Sequence, residues 1–295
     1  MRLALLRGTI AALGTLPLAA NHTLGALLGE IAWRANTRAR RVSEINVALC
    51  LPELDEGARA RLVRRSLRET GKALTETAWL WRRPRHRVAE RIVEVRGAEL
   101  LEAARARGRG LIAVTPHLGS WELCNLPFSH GERGDILYLY RPPRNALLEP
   151  VLIDGRANVG GRPARLDPGG IRTVIGELRD NGTVGVLPDQ EPDANAGVFA
   201  PCFGEPALTM TLLAKLAARG DPSVLFIVTE RLPRARGWRV HFLEAEPGIA
   251  DADKTRAATA LNRSVERCVR LCPEQYLWSY RRYRELPGGG QRAYR

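Results

Sequence analysis

Between Arg38 and Trp81 apolar side chains recur at helical spacing, as in Ile45 and Leu49, Val63 and Leu67, Leu74 and Ala78, with a break at Leu51-Pro52. Such a stripe lets a helix bury one face, and proline removes a backbone donor, so the segment reads as helices interrupted at that break. A basic stretch follows from Arg82 to Arg91, then a short strand at Ile92 to Val95 and a helix at Ala98 to Ala106. Leu111-Ile112-Ala113-Val114-Thr115 has no polar alternation and is bounded by Gly110 and Pro116, the pattern of a buried parallel strand. Further on, the pattern predicts a helix from about Glu122, a strand at Ile136 to Tyr140, helices near Leu147 to Asn158 and Gly170 to Arg179, and an Asn181-Gly182 turn. A strand at Thr183 to Leu187, a helix at Ala207 to Arg219 and a strand at Val224 to Thr229 come next. A turn through Pro233 to Gly237, a strand at Trp238 to Leu243 and a helix from about Lys254 to Leu271 complete the series. Strands alternating with helices predict an α/β fold: a central mixed, largely parallel sheet flanked by helices.

The amino terminus departs from this pattern. From Gly8 to Gly29 there are 22 consecutive residues without Asp, Glu, Lys or Arg, with Arg2 and Arg7 before them and Arg34, Arg38, Arg40 and Arg41 after. That length suffices to enter a hydrocarbon layer of roughly 30 Å, although Gly14, Pro17, Asn21 and His22 interrupt it. A membrane-associated helix, tilted or interfacial, is expected over residues 1–36, with the arginines holding that end at the cytoplasmic face. A cleaved signal peptide and an ordinary first helix packed on the core are the other readings.

Composition narrows the partners. The net charge is +13, and of 45 basic residues only Lys72, Lys215 and Lys254 are lysines. Guanidinium suits bidentate phosphate contacts, so the balance favours an anionic partner: nucleic acid, anionic lipid or an acidic carrier protein. A GC-rich genome would produce the same arginine preference. The five cysteines are odd in number and unpaired in spacing, which argues against a zinc site or a disulfide framework and for small buried hydrophobes in a reducing compartment.

In sheets of this kind sites form outside the carboxyl ends of strands, where His117, Arg141 and Asp189 each follow a predicted strand. The central motif is Pro116-His117-Leu118-Gly119-Ser120-Trp121-Glu122. An imidazole can take a proton from an alcohol while a carboxylate on its other nitrogen fixes the tautomer. On a regular helix His117 and Glu122 would point roughly 140° apart, so their pairing requires His117 in the loop and Glu122 in the first helical turn. Gly119 supplies the freedom and Ser120 is expected to cap the helix. There is no Gly-x-Ser-x-Gly elbow and no phosphate-cradling Gly-x4-Gly-Lys-[Ser/Thr] loop.

Together with Tyr140-Arg141-Pro142, Leu187-Pro188-Asp189-Gln190, Val198 to Gly204 and the carboxyl-terminal Pro273 to Arg284, this block resembles the lipid A biosynthesis late acyltransferases. That family lies within the glycerophosphate-acyltransferase-like His-x4-Asp/Glu superfamily, whose members usually carry His where this chain has Tyr280. The resemblance implies an amino-terminal membrane anchor (1–36) before an acyltransferase domain (37–286), and the composition of the remaining residues, 287–295, reads as a disordered tail. It implies transfer of a fatty acyl group from acyl carrier protein to a hydroxyl of a lipid A precursor at the cytoplasmic face of a bacterial inner membrane. No metal and no cofactor beyond the carrier thioester are expected. His117 would be the general base, oriented by Glu122, and no covalent acyl-enzyme would form. Arg141 would bind phosphate or the developing oxyanion, Asp189 would order Arg141 or the acceptor, and Gln190, Arg281 and Arg282 would contact substrate. Tyrosines interleaved with Arg281, Arg282 and Arg284 also fit a nucleic-acid surface, but headgroup or carrier binding is preferred, with no nucleic-acid partner. The alternatives are an acyltransferase for another acceptor, such as an ornithine lipid or glycolipid, and a non-catalytic basic membrane or nucleic-acid binding protein.

Overall fold

The computed structural model describes residues 2–128, 136–143 and 145–294. Its first helices are α1 (Arg2–Thr15), α2 (Leu18–Arg34), α3 (Arg38–Cys50) and α4 (Glu56–Arg82). Thr37 and Asp55 open α3 and α4 by accepting backbone N–H groups of the first turn, from Arg40 and Ala58, which fills donors a helix start leaves unpaired. Pro17 separates α1 from α2.

These two helices do not form a separate unit. Gly25 and Gly29 lay α2 against α4 so closely that a Cβ at Gly29 would sit 2.2 Å from the Leu67 carbonyl oxygen. The Asn21 amide donates to the Thr75 carbonyl at 3.0 Å, and the Thr75 hydroxyl donates to the Asn21 carbonyl at 3.0 Å. Helices α1 and α2 therefore both pack against α4. Among the described residues no helix is long and apolar enough to cross a membrane. The outer face of α2 nevertheless leaves Leu27, Leu28 and Ile31 about half exposed.

The chain continues through α5 (Arg85–Ala89), β1 (Ile92–Arg96), α6 (Ala98–Ala106), β2 (Leu111–Val114), β3 (Ile136–Tyr140), α7 (Glu149–Asn158), β4 (Gly161–Arg165), α8 (Pro168–Arg179) and β5 (Thr183–Val186). It ends with β6 (Gly197–Cys202), β7 (Glu205–Met210), α9 (Leu212–Ala217), β8 (Ser223–Arg231), β9 (Trp238–Glu244) and α10 (Lys254–Leu271). Among the described residues seven strands form one sheet in the order β1-β9-β8-β2-β5-β3-β4, in which β8 and β9 are antiparallel and every other neighbouring pair is parallel. The expected mixed, largely parallel sheet is thus present. Its middle is buried on both faces: Ile112 and Val114 pack with α3, α4, α8 and α10, while Leu111 and Ala113 pack with α6. Double burial is why β2 carries no polar alternation.

Local readings failed where tertiary pairing overrode the sequence pattern. No strand was expected at Gly161–Arg165, whose Gly-Arg-Pro-Ala-Arg sequence is tolerated because β4 is an edge strand of the sheet. The expected helix over Ala207–Arg219 begins only at Leu212, because Glu205–Met210 pairs with Gly197–Cys202 as a hairpin. Its two-residue turn holds Phe203 and Gly204 at φ +50° and +81°, the left-handed pair that matches the twist of a tight hairpin. The tail, expected to be disordered, is tied down as far as Tyr294: its hydroxyl donates to Asn46 Oδ1 at 2.9 Å, and Arg292 pairs with Glu205 at 2.9 Å. Arg295 lies outside the described residues.

Candidate active site

β2 and β5 are parallel neighbours with Val114 opposite Val186. His117 and Asp189 each lie one short Pro-containing step beyond those paired residues. Register alone therefore brings them together. Asp189 Oδ1 accepts from His117 Nδ1 at 2.7 Å, and Oδ2 accepts from the His117 backbone N–H at 2.8 Å. Burial pushes the Asp189 carboxyl up, but the charge of His117, its ring N–H and its backbone N–H outweigh that and hold it below its ordinary value. A proton kept on Nδ1 leaves Nε2 as the acceptor nitrogen, and Gln190 Nε2 stands 3.2 Å from it, placed to donate. The Trp121 ring lies beside the imidazole, centroids 5.5 Å apart.

Asp189 thus occupies the position expected of Glu122. Glu122 does sit in the first turn of a short 3-10 helix, Trp121–Leu123, but its carboxylate grips Arg156 instead, at 2.6 and 2.9 Å. Both side chains are largely buried, and the guanidinium also lies over the Tyr138 ring, 4.9 Å from its centroid. Burial raises the Glu122 carboxyl, yet Arg156, with a smaller contribution from His117, brings it below its ordinary value. Glu122 feels His117 through charge without accepting its ring proton, and it anchors a cation.

The loop carrying His117 is held from behind. Gly119 has φ +62°, and a Cβ there would lie 2.2 Å from the Thr229 carbonyl oxygen. Its N–H donates to the Gln275 carbonyl at 3.1 Å, and the Leu277 N–H donates to the His117 carbonyl at 3.0 Å, so the carboxyl-terminal block braces the motif. Ser120 makes no cap; its hydroxyl donates to Glu76 at 2.5 Å. Glu76 is fully buried and also accepts from Arg231 Nε at 2.8 Å, while Arg231 donates to the Gly119 carbonyl at 3.1 Å. Burial pushes the Glu76 carboxyl up, but Arg231 and His22 hold it well below the usual range. The one trace of this anchor in the sequence is a carboxylate on the α4 face shared by Ala73 and Leu80; nothing singled out Arg156 or Arg231.

His117 and Gln190 open onto a cavity of about 670 Å³. Leu139, Leu152, Leu166, Ile171, Leu187, Met210 and Leu212 supply apolar wall, and Arg141, Arg156 and Lys215 supply cations. Arg141 is exposed and pairs with Asp193 at 3.1 and 3.2 Å; Asp189 does not order it. Arg282 is buried and donates to Leu208 O and Thr209 Oγ1 at 2.6 and 2.9 Å, tying β7 into the core, and it does not line the cavity. Arg281 borders a separate, smaller pocket.

A buried carboxylate behind a histidine, whose other nitrogen faces a cavity with apolar and cationic walls, is an arrangement able to accept a proton from a bound hydroxyl. A model of the bacterial lipid A biosynthesis acyltransferase family matches residues 3–285, and the chain belongs to that family. It is 32% identical over 277 residues to the lipid A biosynthesis lauroyltransferase of Escherichia coli, covering 93% of this chain and 88% of that protein. Identity to the E. coli lipid A biosynthesis palmitoleoyltransferase is 29% over 272 residues, 92% and 87% of the two chains. A Haemophilus influenzae lipid A biosynthesis acyltransferase is 25% identical over 86% of this chain and 77% of its own. The expected acyltransferase class follows from that membership.

Proposed function

We propose that the protein transfers a fatty acyl group from an acyl carrier protein thioester to a hydroxyl of a lipid A precursor, working at the cytoplasmic face of the inner membrane. The observation that carries this reading is the His117 imidazole, with Nδ1 held by Asp189 and Nε2 turned to the apolar cavity. The acceptor hydroxyl displaces the Gln190 amide from Nε2 and gives up its proton as its oxygen attacks the thioester carbonyl. The tetrahedral oxyanion collapses, the carbon–sulfur bond breaks, and the imidazolium returns its proton to the departing thiolate. An ester and a free thiol result, with no acyl-enzyme and no cofactor besides the thioester. Arg156, fixed by Glu122 inside the cavity wall, is better preorganised to meet the oxyanion than the exposed Arg141, because a held cation needs no reorganisation when charge develops. The acyl chain lies along the leucines of the cavity, and the half-exposed Leu27, Leu28 and Ile31 of α2 rest on the bilayer.

The test uses the full chain, an acyl-carrier thioester and a lipid A precursor, with transfer followed by mass spectrometry. His117→Ala should abolish transfer while the thermal midpoint is retained. Transfer within tenfold of the unmodified chain would remove His117 from the chemistry.

A further inference from the structure

Against the partition formed by Glu191 and Tyr280, which also walls the large cavity, lies a second pocket of about 380 Å³. Arg38 from the start of α3 and Arg281, Arg284 and Ser279 from the carboxyl-terminal block border it. Arg284 is occupied: it pairs with Glu191 at 3.3 Å and with Glu285 at 3.0 Å. Arg38 and Arg281 are not. Among the described residues neither forms an ion pair or a side-chain hydrogen bond, although arginines nearby in the sequence, such as Arg40 and Arg282, are committed to protein partners. Glu191 also receives the Glu285 backbone N–H at 3.0 Å, so its charge is spent within the wall. What remains is a pocket in which two uncommitted guanidinium groups and the Ser279 hydroxyl stand beside Ala39 and Val42, and the two cations are complementary to a phosphate group.

We infer that this pocket is a phosphate subsite that anchors a substrate across the partition from His117. The inference rests on the acyl-transfer reading and adds to it a binding contact made by Arg38 and Arg281. The phosphate belongs either to the acceptor glycolipid or to the pantetheine arm of the donor.

Arg38→Gln, Arg281→Gln and the double variant discriminate these sources in the full chain. The variants retain the fold because no protein partner is lost. With a phosphorylated acceptor, each single change should raise the acceptor KM about tenfold and the pair more, with kcat little altered, since a charge-assisted hydrogen bond is worth roughly that. A dephosphorylated acceptor should be insensitive to the changes. If the donor supplies the phosphate, the donor KM rises instead, equally for both acceptors and for thioester hydrolysis without acceptor, and the subsite stands. Unchanged KM values for both substrates, in an assay where the unmodified chain transfers, overturn it. Protection of Arg38 and Arg281 from phenylglyoxal by inorganic phosphate, read by peptide mass spectrometry, examines the pocket by itself. Protection in a chain that transfers nothing would keep the subsite and remove the acyl-transfer reading; no protection would remove the subsite.

Discussion

Replacing Asp189 by Asn separates its charge and hydrogen-bonding pattern from its shape. Both carboxylate oxygens accept protons from the same residue, one from the His117 backbone N–H at 2.8 Å and one from Nδ1 at 2.7 Å. Asn has one acceptor oxygen and one NH2 group. The backbone N–H cannot reverse its polarity, so the amide oxygen stays with it and the NH2 turns to Nδ1. The imidazole then becomes the tautomer protonated on Nε2, which offers the acceptor hydroxyl a donor instead of a base. The loss should be the whole general-base contribution, about 10²–10⁴ in kcat, equivalent to roughly 3–5 kcal/mol at 1.36 kcal/mol per tenfold. Both hydrogen bonds survive, the one to the ring with its direction reversed, so the fold should be retained and the stability lost is confined to what the Asp189 charge contributes. Steady-state transfer beside a thermal melt measures both quantities. Activity within fivefold of the unmodified chain, with the fold intact, would falsify the assignment of Asp189 as the group that sets the tautomer.

Glu122→Gln leaves the largely buried Arg156 cation without its carboxylate and should lower stability by about 3 kcal/mol, visible as reduced urea midpoint; an unchanged midpoint would mean the pair is not a packing anchor. Gly119→Ala must hold a side chain at φ +62° with its Cβ 2.2 Å from the Thr229 carbonyl, so a loss of about 2 kcal/mol or more is expected, read as a fall of roughly 5 °C in Tm. A melt unshifted by that substitution would show that the loop is not braced as described. Glu76, Glu122 and Asp189 are all held below their ordinary values, so they contribute stability above their unfolded pKa values near 4 and lose it as pH falls toward the folded ones. Denaturant midpoints should be flat from neutrality to about pH 5 and drop below about pH 4; a midpoint rising on acidification contradicts the network.

The strand ends were legible because double burial leaves a direct mark: β2 and β5 are short apolar runs, and His117 and Asp189 are the polar residues after them. Helix α10 was readable for the complementary reason, a long amphipathic stripe from about Lys254 to Leu271. What misled was proximity along the chain. Glu122 is five positions from His117 and Asp189 is far away, yet the sheet register makes Asp189 the neighbour. The Gly197–Cys202 and Glu205–Met210 pairing was likewise hidden, since a helical pattern over Ala207–Arg219 looks complete until another strand is available to satisfy its backbone.

By itself the sequence determined the α/β class, the place of His117 just beyond a buried strand, the absence of a serine nucleophile motif and the cationic surplus, all of which are carried by residue type and short-range periodicity. Only the tertiary structure decided that Asp189 orients His117, that Glu122 holds Arg156, that Glu76 and Arg231 brace the loop, and that the first two helices pack on α4. Those choices depend on strand register and on which charges are buried together, and in a folded chain such contacts form between residues whose separation in sequence says nothing about their separation in space.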